Sequence, residues 1–153
     1  MIDFYALGDG YPGMPTPVGM RQIDKVRRIE GAIQDDVCGE IPEFRPDLRL
    51  IPYLSLHEYE SLLFSDPAAF AEALRRPGLA ARFQDVRNNF PTPEDINDGP
   101  ETAPSKRVAA VCQSYRKVID GTLAAITVGI ETMRRECPHF RDWLRRLESV
   151  SDL

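Results

Sequence analysis

Long apolar runs are absent from this 153-residue chain. No stretch approaches the roughly 20 residues needed to cross a bilayer, and the N-terminus lacks the basic, apolar, small-residue order of a secretory leader. The expectation is a cytoplasmic protein with no membrane contact. Basic excess is missing too: 19 Lys and Arg face 24 Asp and Glu, a net charge of -5. Contact with nucleic acid or an anionic surface therefore requires a local patch. Histidine and cysteine are scarce, at two and three, and Cys38, Cys112 and Cys137 lie far apart with no CxxC pair. This argues against a zinc site or a disulfide framework and for reduced thiols. A phosphate-cradling glycine loop is also lacking, because "GDGYPG" has neither the strand-to-helix context nor the spacing of a nucleotide fingerprint.

What is present fits one domain, residues 1–153, with 42% hydrophobic residues and a core of real size. "MIDFYAL" reads as a buried strand carrying one acid, Asp3, and ending in a Gly/Pro-rich loop. Met20, Ile23, Val26, Ile29, Ile33 and Val37 recur at steps of three and four, which predicts an amphipathic helix ending near Gly39. "DLRLIPYLSL" (47–56) is a second apolar run with little alternation, as in a strand covered on both faces, although Pro52 counts against a central position. Strand, helix, strand makes residues 1–56 a right-handed βαβ core with a parallel sheet. Residues 57–153 read as helical. Ser65-Asp66-Pro67 marks one helix start, Asp120-Gly121 a turn with Thr122 as a possible cap, and Cys137-Pro138 a hinge. The expected class is therefore α/β. Two strands are marginal alone in water, so further chain, a second copy or a partner is expected to complete the sheet.

Four blocks carry a family resemblance: "MIDFYALGDGYPG", "LIPYLSLHEYESLLFSDPAAF", "INDGPETAPSKR" and "CPHFRDWLRRLE". Together they resemble the bacterial domain of unknown function 4276, a Toprim-like family, over nearly the whole chain. The resemblance implies a partial Toprim-like parallel sheet followed by a helical C-terminal half. It also implies Mg²⁺- or Mn²⁺-dependent phosphodiester cleavage of nucleic acid, beside an ATPase partner in bacterial defence. In that family a segment with a first strand and a "VEGxTE"-like Glu normally precedes the opening strand, so the chain is expected to be N-terminally incomplete.

The candidate site residues follow from where the acids fall. Toprim domains hold a hard cation on an Asp-x-Asp pair, and here the stretch reads Asp3-Phe4-Tyr5, with Tyr5 in the second acidic place. Asp3 is then a metal ligand or an acid satisfied by loop amides. His57, Glu58 and Glu60 lie where a strand gives way to a helix, the position at which open α/β sheets build sites. Glu58 is the preferred ligand or water-orienting group. On a helix Glu60 diverges from it by about 200°. His57 is either catalytic or packed. The loop "PTPEDINDGPETAPS" offers Asp98 and Glu101, and Lys106 beyond it can neutralise phosphate at a helix start. The arginines at 134, 135, 141, 145 and 146 alternate with acids and read as a solvated face. Two functions from different classes remain: a metal-dependent nuclease, or a non-catalytic interaction module that self-associates or docks on an ATPase.

Overall fold

The computed structural model describes residues 2–4, 7–97 and 102–150, with Ile2 and Asp3 as backbone. The chain divides into two compact units, Met1–Leu56 with Asp142–Leu153, and His57–Arg141.

In the first unit the apolar face of helix α1 (Gln22–Glu40) forms as its three-and-four spacing requires. Val26 and Ile29 are fully buried, packed with Leu54 and Leu56 and flanked by Phe4, Leu7, Met14, Ile23 and Ile33. Glu30 shares that face and is buried, and its Oε1 accepts the backbone N–H of Leu54 at 2.7 Å. Strand β1 (Ile2–Asp3) pairs in parallel with β2 (Leu54–Ser55), Ile2 opposite Leu54 and Asp3 opposite Ser55.

That pairing corrects the expected fold class. The chain is predominantly helical, and the Toprim-like parallel sheet is not present among the described residues, where strand pairing stops at two residues on each side. The apolar run 47–56 contains a helical turn, α2 (Pro46–Arg49), then extended backbone at Leu50. Two prolines explain this. Pro46 with its fixed φ opens a helical turn, and Pro52 has no N–H to give a ladder. Cover for the run comes from a side chain instead of a strand: Trp143 donates from Nε1 to the Ile51 carbonyl at 3.3 Å, and its ring lies 4.8 Å from that of Tyr53. The helix end expected near Cys38-Gly39 is found there, although the C-cap is Ile41 and not the glycine. Helix α1 runs on to Glu40, and Pro42 begins a separate 3-10 turn.

The second unit packs short helices around aromatic rings. After α3 (Glu60–Leu63), helix α4 (Pro67–Ala73) starts where Ser65-Asp66-Pro67 predicts. Asp66 Oδ1 accepts from the amides of Ala68 and Ala69, and Pro67 occupies the first helical position. Helix α5 (Ala80–Asn88) supplies Phe83, which stacks on Phe70 at 4.6 Å, while Phe64 meets both rings edge-on at 5.6 Å. All three rings are buried. Helix α6 (Pro104–Val111) is followed by α7 (Lys117–Val128), α8 (Ile130–Glu136) and α9 (Pro138–Val150).

The expected turn at Asp120-Gly121 lies inside α7. Glycine serves close packing there: a Cβ on Gly121 would stand 2.8 Å from the Tyr115 hydroxyl and 3.2 Å from the Tyr59 ring. Gly129 has the conformational role, because its φ of +77° ends α7 in a region that side chains avoid. The break at Cys137-Pro138 falls where expected. No helix among the described residues is long and apolar enough to cross a membrane.

Candidate functional site

The dipeptide His57-Glu58 follows β2 and precedes α3. The first four N–H groups of any helix lack partners within it, and at α6 Pro104 has none to offer, so Ser105 carries the first free donor. Ala103, which precedes the helix, caps nothing. Glu58 does so from 47 residues away: Oε2 accepts the Ser105 N–H at 2.7 Å and Oε1 the Ser105 hydroxyl at 2.8 Å. A carboxylate there also faces the positive end of the helix dipole.

His57 is buried, and Asn97 Nδ2 lies 3.3 Å from its Nδ1. An amide NH₂ can only donate, so this contact makes Nδ1 the acceptor and leaves the ring proton on Nε2. Adjacent residues thus hold the two ends of one loop, His57 at Asn97 and Glu58 at Ser105. Arg107 tightens the far end, with Nε donating to the Thr102 carbonyl at 2.7 Å and its guanidinium 5.2 Å from the centre of the Phe90 ring.

The structure therefore sets His57 and Glu58 against the residues that flank this segment, while Lys106 is exposed and next to Ser105 in the chain. Asp98 and Glu101 fall between the two braced ends but lie outside the described residues, as do Tyr5 and the side chain of Asp3. Glu60 faces other neighbours. Fully buried at the start of α3, its Oε2 sits 3.0 Å from Lys117 Nζ and its Oε1 3.5 Å from the Tyr115 hydroxyl. The hydroxyl of Tyr59 donates to the Gly121 carbonyl. Burial, with the Glu60 charge adding to it, pushes the Tyr59 phenol up to about 12 and raises Tyr115 as well. Both phenols stay protonated at neutral pH and act as donors.

A third buried acid, Glu94, escaped the sequence reading. Its Oε2 accepts the His139 N–H and its Oε1 the Phe140 N–H, each at 2.9 Å, at the first turn of α9. Burial raises its carboxyl above the usual range, with those two amides pulling the other way. Near it, Cys137 Sγ lies 3.3 Å from Ser65 Oγ, and burial, with the Glu94 charge adding, pushes the thiol up to about 12. That holds Cys137 as an inert thiol at neutral pH. Ser105, Asn97, Tyr115 and Lys117 were likewise missed as partners. The available signal was Pro104 followed by Ser105, a helix start whose preceding residue has no capping side chain.

As a place for Mg²⁺ or Mn²⁺ the described residues do not fit. A hard cation needs several oxygen ligands. At the braced loop they offer one carboxylate, Glu58, whose two oxygens are already engaged, and no group of three or more His, Cys, Asp or Glu converges anywhere among them. The arginine cluster pairs with its own interleaved acids, Arg134 with Glu131, Arg135 with Glu136 and Arg145 with Asp142.

Comparison with known proteins gives one match. The family described as domain of unknown function (DUF4276) matches residues 1–148. No curated protein and no solved structure matches the chain. With nearly its whole length matched, the chain belongs to the DUF4276 family.

Proposed function

We propose that this DUF4276 member works as a protein-docking module through the outer face of α7. The observation that carries this reading is that α7 is apolar on two opposite sides. Gly121, Ala124 and Val128 are buried in the unit, while Val118, Ile119, Leu123 and Ile126 stand exposed, Val118 at 80% and Ile126 at 72%. A helix that is apolar all round is ordinarily covered all round. Beyond Asp120 the helix has no charged residue. Its threonines add little polarity outward, since Thr122 and Thr127 donate their hydroxyls to the carbonyls of Val118 and Leu123 at 2.6 and 2.9 Å. The chemistry-bearing residues of the braced loop fit the same reading, because Glu58 spends both oxygens on holding α6. The test is binding of a dye that reports exposed apolar surface, at a dilution where sedimentation shows the chain to be monomeric, with Ile126→Glu expected to remove most of the signal. Equal signal from both proteins would sink the reading.

A second reading, metal-dependent phosphodiester cleavage, is favoured by the brace itself. His57 and Glu58 hold Asn97 and Ser105, which in the sequence flank the acids Asp98 and Glu101, and Lys106 follows directly. Purified protein incubated with DNA or RNA and Mg²⁺ or Mn²⁺ tests it. Cleavage lost in Lys106→Ala, a variant that keeps the brace, supports this reading, and no cleavage by the parent protein removes it.

A further inference from the structure

We infer that the occupant of the α7 face is a second copy of this chain, docked with the two α7 helices antiparallel. The inference rests on the docking reading and names its partner. Three features of the face are self-complementary. The first is shape: the N-terminal half of α7 projects Val118 and Ile119, while its C-terminal half borders an apolar groove of about 390 Å³ lined by Ala125, Ile126, Gly129, Ile130 and Phe140. A two-fold axis near Leu123 sets the projecting pair of each copy at the level of the other's groove, the reciprocal arrangement of an isologous contact.

The second is charge. Arg116 stands at the start of α7 with its side chain 63% exposed, and Glu131 stands just beyond its end at 80%. Antiparallel pairing brings each Arg116 end to a Glu131 end, whereas parallel pairing sets like against like. Arg116 already holds Asp120, but its five donors leave room for another acceptor. The third is neutrality. A chain of net charge -5 repels its own copy, and the stretch from Gly121 to Val128 is a face that brings no like charges together. The exposed apolar area is roughly several hundred Å², the size at which a patch on a monomer is commonly functional.

Sedimentation velocity on the full chain tests this, with far-UV circular dichroism verifying that each variant is folded. The parent protein is expected to dimerise at micromolar concentration. Ile126→Glu should weaken association at least about thirtyfold, as loss of a central anchor does. Arg116→Glu and Glu131→Arg should each weaken it several-fold, and the double exchange should restore it. A dimer untouched by Ile126→Glu, or a double exchange weaker than either single, overturns the antiparallel α7 pairing. A parent protein still monomeric at about 100 µM overturns self-association outright. In that event the dye separates the two claims. Signal lost in Ile126→Glu keeps the docking face for another protein, and equal signal in both removes it too.

Discussion

The two units bury polar groups to different ends. In Met1–Leu56 the interior is a small aliphatic cluster around Val26, Ile29, Leu54 and Leu56, and its buried acid, Glu30, holds one backbone N–H beside a strand pair two residues long. In His57–Arg141 the interior is a cluster of aromatic rings, and its acids fasten helix beginnings far away in sequence: Glu58 at Ser105, Glu94 at His139 and Phe140. Local pattern thus builds the pieces of the second unit, and long-range carboxylates fix them. In the first unit one helix face and one carboxylate carry most of the order.

The largest effect that sharpens this contrast is at Phe70, which touches Phe64, Phe83 and Tyr115. Phe70→Ala is expected to cost about 4 kcal/mol, lost transfer energy plus a cavity ringed by stiff side chains. Val26→Ala in the aliphatic cluster removes fewer atoms and should cost about 2 kcal/mol. Urea unfolding followed by circular dichroism measures both. The fluorescence of Trp143, the one tryptophan, reports the first unit separately. If Val26→Ala proves as costly as Phe70→Ala, the contrast fails.

Next comes Glu94. Replacing it with Ala leaves two buried amides unpaired at the start of α9, and a loss of about 3 kcal/mol is expected. Its pH dependence has a definite sign. Burial raises the folded-state carboxyl above its unfolded value of 4.5. The stability linked to that proton is therefore fully present below 4.5 and is lost as pH rises through the folded value. The stability of the parent protein relative to Glu94→Gln should accordingly fall over that interval. A difference that stays flat with pH contradicts the burial argument.

These fasteners also show why the sequence was only partly legible. Helix α1 and the start of α4 were plain because their signals are local: the three-and-four spacing of Ile23, Val26, Ile29 and Ile33, and Asp66 beside Pro67. The run "LIPYLSL" misled because an apolar strand and an extended segment covered by an aromatic side chain share a composition. Pro52 was the one residue arguing for the latter, and what covers the segment, Trp143, lies 92 residues beyond Ile51. The turn assigned to Asp120-Gly121 failed for a related reason. Asp120 bonds the Arg116 backbone and side chain within the helix, and glycine there answers to two tyrosines that no local pattern reveals. At the candidate site, composition marked His57, Glu58 and the loop before Lys106 as unusual. It could not say that the first two hold the ends of the loop, since a cap drawn from 47 residues away leaves no mark at the helix it serves.

Packing against the tyrosines gives an intermediate effect. Gly121→Ala should cost about 1 to 2 kcal/mol, because the added methyl meets the Tyr115 hydroxyl and the Tyr59 ring inside contact distance. Tyr115→Phe in the same background should recover part of that loss by removing the nearest atom. No recovery would mean that the helix backbone, and not the phenol, limits the space.

The smallest effect tests whether Glu58 is the same kind of fastener as Glu94. Glu58 is half-buried and its partners belong to one residue, so Glu58→Gln, which keeps a single acceptor oxygen, is expected to cost about 1 kcal/mol, in the range of a lost helix cap. Ser105→Ala removes the hydroxyl half of the contact and leaves the amide. If the carboxylate acts by holding Ser105, the two changes are not additive, and the double variant should lose less than the sum of the singles. Additive losses would free Glu58 from Ser105 in solution. The acid would then be available for chemistry at the loop, and the difference between Glu58 and Glu94 would become one of function as well as of burial.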